Sequence, residues 1–303
     1  MVNLLLAKGA DINAFGGFYG NALWRAVAKE NKAIVSLLLE NGANVNASGG
    51  LSSNVLLAAV IRGNEALVDL LLHKGADVNA SGSKYGNALQ AAVASGNEVI
   101  VNILLDNGAN VDAQGGQYYS ALLAAVARGN ETMVNLLLRK GANVNAQGGH
   151  YGNALQAAVV KGNEVILNFL LENGADVNAQ GGYYGSALQA AVVKDNKAIV
   201  NLLLEKGADV NVSGGYYNNA LQAALVKGNE AIVDLLCEKG AEGDFCGNAL
   251  QTTAAKESEA VVNLLFQKGA DINALDGLDG NAWQSTEVDR HEAIVNFLLN
   301  KRL

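Results

Sequence analysis

Proline is absent from all 303 residues of this chain, where average usage would supply about 5%. Any account of its helix starts and turns has to do without that residue. Cysteine is scarce as well, with only Cys237 and Cys246. Two thiols in a chain this long form no disulfide framework, which points to a reducing, cytoplasmic setting. Basic residues are outnumbered 21 to 29, for a net charge of −8. That balance lacks the cationic footprint that duplex nucleic acid requires. No apolar run approaches the roughly 18 residues of a membrane span. The run Leu4–Ala7 is broken by Lys8 and is too short for the core of a signal peptide.

What is present is a period. The pair Gly-Ala closes a leucine-rich segment at Gly9, Gly42, Gly75, Gly108, Gly141, Gly174, Gly207, Gly240 and Gly269. Seven successive spacings are 33 residues and the last is 29. A repeat of this length marks a solenoid of stacked units. Positions are counted below from each such glycine as position 0. Positions 12 to 20, as in "SALQAAVVK" from Ser186, predict a short helix A, and positions 22 to 32, as in "NKAIVNLLLEK" from Asn196, predict helix B. Helix B repeats apolar residues at helical spacing: Ile199, Val200, Leu203 and Leu204.

The boundaries have local causes. Asn or Ser at position 12 with Gln at position 15, as in Asn153/Gln156 and Ser186/Gln189, is a capping-box pattern. Asn at position 22 can cap helix B. Glu at position 23 favours the positive end of the helix and Lys at position 32 the negative end. Gly at position 0 is a left-handed stop. Helices this short are unstable alone; Ala at positions 13, 16 and 17 lets neighbouring units approach and share one core.

The stretch "GNALQAAVVKGNEVILNFLLENGADVNAQ", residues 152–180, resembles the ankyrin repeat in period, helix–turn–helix order and exit sequence. The resemblance implies an all-α ankyrin-repeat solenoid with β-hairpin fingers. It also implies binding of other proteins over the concave surface of fingers and inner helices. The family's Thr-Pro-Leu-His helix start becomes Asn-Ala-Leu-Gln here, which removes the proline and leaves the cap to the asparagine. Near-identical "GNALQAA" arrays also look like those trailing the nucleotide-binding modules of fungal NACHT-type sensor proteins. Residues 1–303 then read as one monomeric array: 1–13 a half repeat, 14–240 seven regular repeats, 241–269 a shortened repeat and 270–303 a polar cap. The half repeat leaves Val2, Leu5 and Leu6 as an uncovered apolar edge. The shortened repeat predicts the weakest joint, near residues 241–258.

All nine tyrosines lie in the glycine-rich fingers. Position 10 holds Tyr85, Tyr118, Tyr151, Tyr184 and Tyr217. These are either a partner-facing strip or braces for the finger, and their regularity favours the brace. Adjacent units lie about 10 Å apart by helix packing, too far for these rings to stack. Position 9 varies: Phe18, Lys84, Gln117, His150, Tyr183 and Tyr216. It reads equally as partner contact or as drifting surface. Tyr119 extends the candidate finger set.

Position 20 is a basic row that includes Arg128, Lys161, Lys194 and Lys227. It is either a cationic stripe for an acidic segment or the ordinary preference of cations for helix C-termini, partly neutralised by Glu at position 23. Trp24 joins this row as a candidate contact on helix A, with ordinary packing as the alternative. The three histidines fall at unrelated positions of separate units and cannot converge on a metal or a catalytic triad. No strand precedes the glycine-rich loops, which excludes a phosphate-binding fingerprint. The expected function is protein binding without cofactor or catalysis. The partner would be a protein with an acidic or amphipathic segment, or another domain of the same parent chain. The alternative is a passive spacer in a larger sensor.

Overall fold

A computed structural model describes residues 2–16, 20–47, 49, 54–82 and 84–241. The shortened repeat beyond residue 241, the polar cap, the weak joint, Phe18, Tyr19 and Cys246 lie outside the described residues. The chain divides into two compact units, Met1–Gly149 and His150–Leu303.

The first unit begins with α1 (Val2–Ala7), a helix B without its helix A. Four helix pairs follow: α2 (Ala22–Ala28) with α3 (Lys32–Glu40), α4 (Val55–Arg62) with α5 (Glu65–His73), α6 (Ala88–Ser95) with α7 (Glu98–Asp106), and α8 (Ala121–Arg128) with α9 (Glu131–Arg139). Each A helix packs on its own B helix, and α2, α4, α6 and α8 pack in succession. The second unit holds α10 (Ala154–Lys161) with α11 (Glu164–Glu172), α12 (Ala187–Val193) with α13 (Lys197–Glu205), and α14 (Ala220–Lys227) with α15 (Glu230–Glu238). Here α10 packs on α12 and α12 on α14.

The caps act as the sequence predicts. Every A and B helix from α2 to α15 has an Asn or Ser cap whose side chain accepts from the third backbone N–H, as Asn153 does from Gln156 and Asn163 from Ile166. Each such bond stabilises its helix by about 1 kcal/mol. The core repeats with them. Leu at position 14 and Ala at positions 16 and 17 are buried in helix A, and Ile166, Leu167 and Leu170 in helix B leave at most 1% exposed. Burying one such side chain stabilises by about 1.5–3 kcal/mol, which is why helices of seven to nine residues persist only in the stack. Leu5 stays 53% exposed on α1, while Val2 and Leu6 are half-buried. They line an apolar groove of about 500 Å³ against α2 and α3.

Helix A has a second stop that the period alone did not mark. Five of the A helices end on Gly63, Gly96, Gly129, Gly162 or Gly228 in the left-handed region. Glu30 and Asp195 stand at the same position and take the same conformation, at φ 55° and 56°. Their helices, α2 and α12, are one residue shorter. Each carboxylate then accepts from the cap asparagine of the following repeat, Asn64 and Asn229 respectively.

Candidate functional site

The fingers are built from positions 7 to 11. In "GGYYG", residues 181–185, the Gly181 N–H donates to the Gly185 carbonyl at 2.9 Å, and the two residues form an isolated antiparallel bridge. Gly115 and Tyr119 close one finger of the first unit in the same way. Among the described residues these bridges stand in place of the strands of the expected hairpin. The loop is too tight to extend a ladder within itself.

The ladder runs between repeats instead. The Tyr183 N–H donates to the His150 carbonyl at 3.1 Å, and the Tyr216 N–H to the Tyr183 carbonyl at 3.0 Å. In the first unit Gln117 N–H donates to the Lys84 carbonyl at 2.8 Å. Glycine at position 8 makes this approach possible. A Cβ on Gly182 would come closer than 3.0 Å to the backbone of Tyr151 and Gly152, and one on Gly215 would do the same against Tyr184 and Gly185.

The fingers therefore sit closer together than the helices that carry them, and position 9 does stack from repeat to repeat. His150 stacks on Tyr183 with centroids 5.7 Å apart and 24° between planes; Tyr183 stacks on Tyr216 at 5.3 Å and 16°. Offset stacking of this kind falls within the favourable range for aromatic pairs. At position 10 the helix-spacing argument holds for a different reason. Tyr151, Tyr184 and Tyr217 each meet the edge of the neighbouring position-9 ring in their own finger, at 5.6, 5.1 and 5.0 Å. Tyr184 is buried and Tyr85, Tyr118, Tyr151 and Tyr217 are half-buried, as braces would be. Tyr183 and Tyr216 keep 41% and 70% of their surface, and His150 is exposed with them.

Burial raises the Tyr183 phenol above its ordinary 10.0, and the neighbouring phenols of Tyr217, Tyr216 and Tyr184 add to the rise. Each neighbour disfavours a second negative charge once ionised. Replacing Tyr216 and Tyr217 by Phe is expected to bring Tyr183 back toward 10.0, leaving burial and Tyr184 as the remaining causes. Ring-labelled tyrosine NMR across pH 8–12 reads this directly; an unmoved midpoint would remove the neighbours from the explanation.

Where position 15 is Gln90, Gln156 or Gln189, the base of the next finger is held by the preceding repeat, and here the structure corrects the expected capping box. Gln at position 15 does not return to its own helix cap. Gln189 Nε2 donates to the carbonyls of Val212 and Asn218, at 3.1 and 2.9 Å. Gln156 reaches Ala179 and Gly185, and Gln90 reaches Ala113 and Tyr119. In each case the glutamine clamps both ends of the next finger from a fully buried position. Its Oε1 has no conventional donor. In Gln90 and Gln189 it lies against the Cα of Gly86 and Gly185, where any Cβ would collide with it. A Cα–H contact to oxygen is the weak partner left to it.

A second ladder went unread in the sequence. Asn178 Nδ2 donates to the Gly207 carbonyl at 3.1 Å while its Oδ1 accepts from the Asp209 N–H at 2.8 Å. Asn79 does the same to Gly108 and Asn110. The signal was available as Asn recurring four residues after the Gly-Ala glycine, but its partners lie one repeat away.

The other candidate residues separate by exposure. Lys84 and Gln117 are exposed on their fingers, and the Lys84 ammonium lies 5.9 Å from the centroid of Tyr85. Arg128, Lys161, Lys194 and Lys227 are exposed at the ends of their A helices. Among the described residues none of these four forms an ion pair, so Glu at position 23 does not neutralise the row by contact. The Arg128 guanidinium lies 6.0 Å from the centroid of Tyr118, at the outer limit of a cation–π contact. In that repeat the position-20 cation and the tyrosine brace adjoin. Trp24 is only 6% exposed and belongs to the core, because α4 packs over α2. Tyr119 is half-buried at φ 73°. Its hydroxyl donates to Gln114 at 2.8 Å, and its ring fills the space a side chain on Gly148 would take. Trp24 thus stands in the core, and Tyr119 is tied to its own finger. Among the described residues no group of three or more His, Cys, Asp and Glu side chains is placed to hold a metal, and no helix is long and apolar enough to cross a membrane.

Comparison with known proteins agrees with this geometry. The family model for ankyrin repeats (three copies) matches residues 1–82, 23–115, 56–148, 88–181, 122–214 and 188–276. No protein of curated function matches the sequence. Among solved structures, the ankyrin repeat domain of Bcl-3, a member of the IkappaB protein family, is similar at a TM-score of 0.62 and 26% identity. The match covers 74% of this chain and 100% of that one.

Proposed function

The chain belongs to the ankyrin-repeat family, and from that premise we propose that it binds a protein partner over its fingers and the exposed ends of its A helices. Ankyrin repeats are in general protein-interaction modules. The observation that carries the reading is the stacked column of His150, Tyr183 and Tyr216. Three aromatic side chains are held in register by backbone hydrogen bonds while remaining exposed. Exposed tyrosine on a rigid backbone offers large contact area at little ordering cost. Lys84 and Gln117 extend the finger contacts in the first unit, and the exposed Lys161, Lys194 and Lys227 add the helix-A contacts in the second. The braces Tyr151, Tyr184 and Tyr217 position the column without contacting the partner. The working setting is intracellular and the array acts as a monomer, with the partner a separate protein or another domain of the same parent chain.

A pull-down from lysate with the full chain and with the Tyr183→Ala/Tyr216→Ala variant tests this. With far-UV circular dichroism unchanged, the variant is expected to lose specific proteins that the parent retains. An identical retained set would favour the passive spacer.

A further inference from the structure

We infer that the second unit takes an acidic segment in the polyproline II conformation, with a carboxylate at every third residue; this rests on the protein-binding reading above and names the partner's chemistry. Lys161, Lys194 and Lys227 end successive A helices that pack directly on one another, α10 on α12 and α12 on α14. Helices in such contact lie about 8–10 Å apart, so the helix ends that carry the three lysines repeat at that spacing. All three are exposed, and among the described residues none is held in an ion pair. Beside them Val160, Val193 and Val226 are half-buried and supply an apolar strip one residue earlier on each helix. On the finger side stand the exposed rings of Tyr183 and Tyr216. The contact between Arg128 and Tyr118 shows how near position 20 lies to the finger of its own repeat.

The occupant follows from this spacing. A polyproline II helix has three residues per turn and rises about 3.1 Å per residue, so every third side chain falls on one face about 9.3 Å apart. That matches the lysine row. A β-strand does not, because side chains three residues apart point to opposite faces. An α-helix repeats one face at about 5.4 Å or, over seven residues, about 10.5 Å, on either side of the 8–10 Å repeat. Apolar and aromatic side chains beside the row suit the proline rings between the carboxylates. Register also decides specificity. The chain as a whole carries −8, so an acidic partner gains no general attraction and is held only where carboxylates meet the lysines.

The test uses the full chain and two fluorescent peptides of identical composition, read by anisotropy. One has four Glu-Pro-Pro triplets; the other has its four glutamates grouped as two adjacent pairs separated by prolines. The triplet peptide is expected to bind about tenfold more tightly, since it can meet all three lysines where the paired peptide meets one, and each of the two extra exposed ion pairs contributes a few-fold. The combined Lys161→Gln/Lys194→Gln/Lys227→Gln variant should abolish that preference. Equal affinity for both peptides, no binding of the triplet peptide, or a preference surviving the triple substitution would each overturn the proposal. None of these results touches the lysate experiment, which depends on the aromatic column, so the two readings fail separately.

Discussion

Gln189→Glu is expected to destabilise the protein by about 3–4 kcal/mol at pH 7 while leaving most of its stability at pH 4. Gln189 is fully buried, and its Nε2 donates to two carbonyls at 3.1 and 2.9 Å. An ionised carboxylate at that place would face two acceptors and no donor but a glycine Cα–H. Burial and the two carbonyls both raise its pKa above the unfolded value of about 4.3. The sign follows from that. Below the unfolded value the carboxyl is neutral in both states, and only one donor bond is lost. As pH rises above about 4.3 the unfolded chain gives up its proton first, and stability falls by about 1.4 kcal/mol per pH unit until the folded value is reached. Gln189→Leu should instead cost about 2–4 kcal/mol independently of pH, for two buried carbonyls left without their donor. Urea unfolding at pH 4 and pH 7 separates the two variants. A Gln189→Glu protein as stable as the parent at pH 7 would show that the glutamine clamp is dispensable.

Gly182→Ala is the second large effect, at about 2–4 kcal/mol. Gly182 has φ 63°, where a Cβ costs about 1 kcal/mol by itself. The larger part comes from the neighbouring finger, because the added carbon would press on the backbone of Tyr151 and Gly152. Backbone cannot rotate out of the way as a flexible side chain can. The finger would have to withdraw, breaking the bond from Tyr183 N–H to the His150 carbonyl and separating the stacked rings. Gly174→Ala is the matched comparison: φ is 85° and a Cβ there meets nothing within 4 Å. It should cost only about 1 kcal/mol and leave the near-ultraviolet aromatic signal intact. If both substitutions cost the same, close approach of the fingers does not explain glycine at position 8.

These two positions show where sequence reading reached and where it stopped. Gln at position 15 was visible in the repeat, and so was its place three residues after the cap. A capping box is satisfied within four residues and can be read locally. The real acceptors of Gln90, Gln156 and Gln189 lie 23 and 29 residues further along the chain. Such partners exist only after repeats have stacked. Trp24 shares position 15 with the glutamines, and the packing role that the sequence allows it agrees with its 6% exposure. Tyr119 belongs to the candidate finger set by sequence; the space over Gly148 that its ring occupies has no trace in its own repeat.

The sequence by itself determined the period, the helices and their ends, because these depend on hydrophobic spacing and on caps that act within one turn. It also separated position 9 from position 10, since one varies and the other repeats. Only the tertiary structure decided what that difference means. Helix packing sets units about 10 Å apart, but glycine at position 8 lets the fingers close to backbone hydrogen-bonding distance. Variable side chains that a helix-spacing argument keeps apart thereby become the stacked column of His150, Tyr183 and Tyr216. Distance between repeats is a property of their packing, and no single repeat contains it.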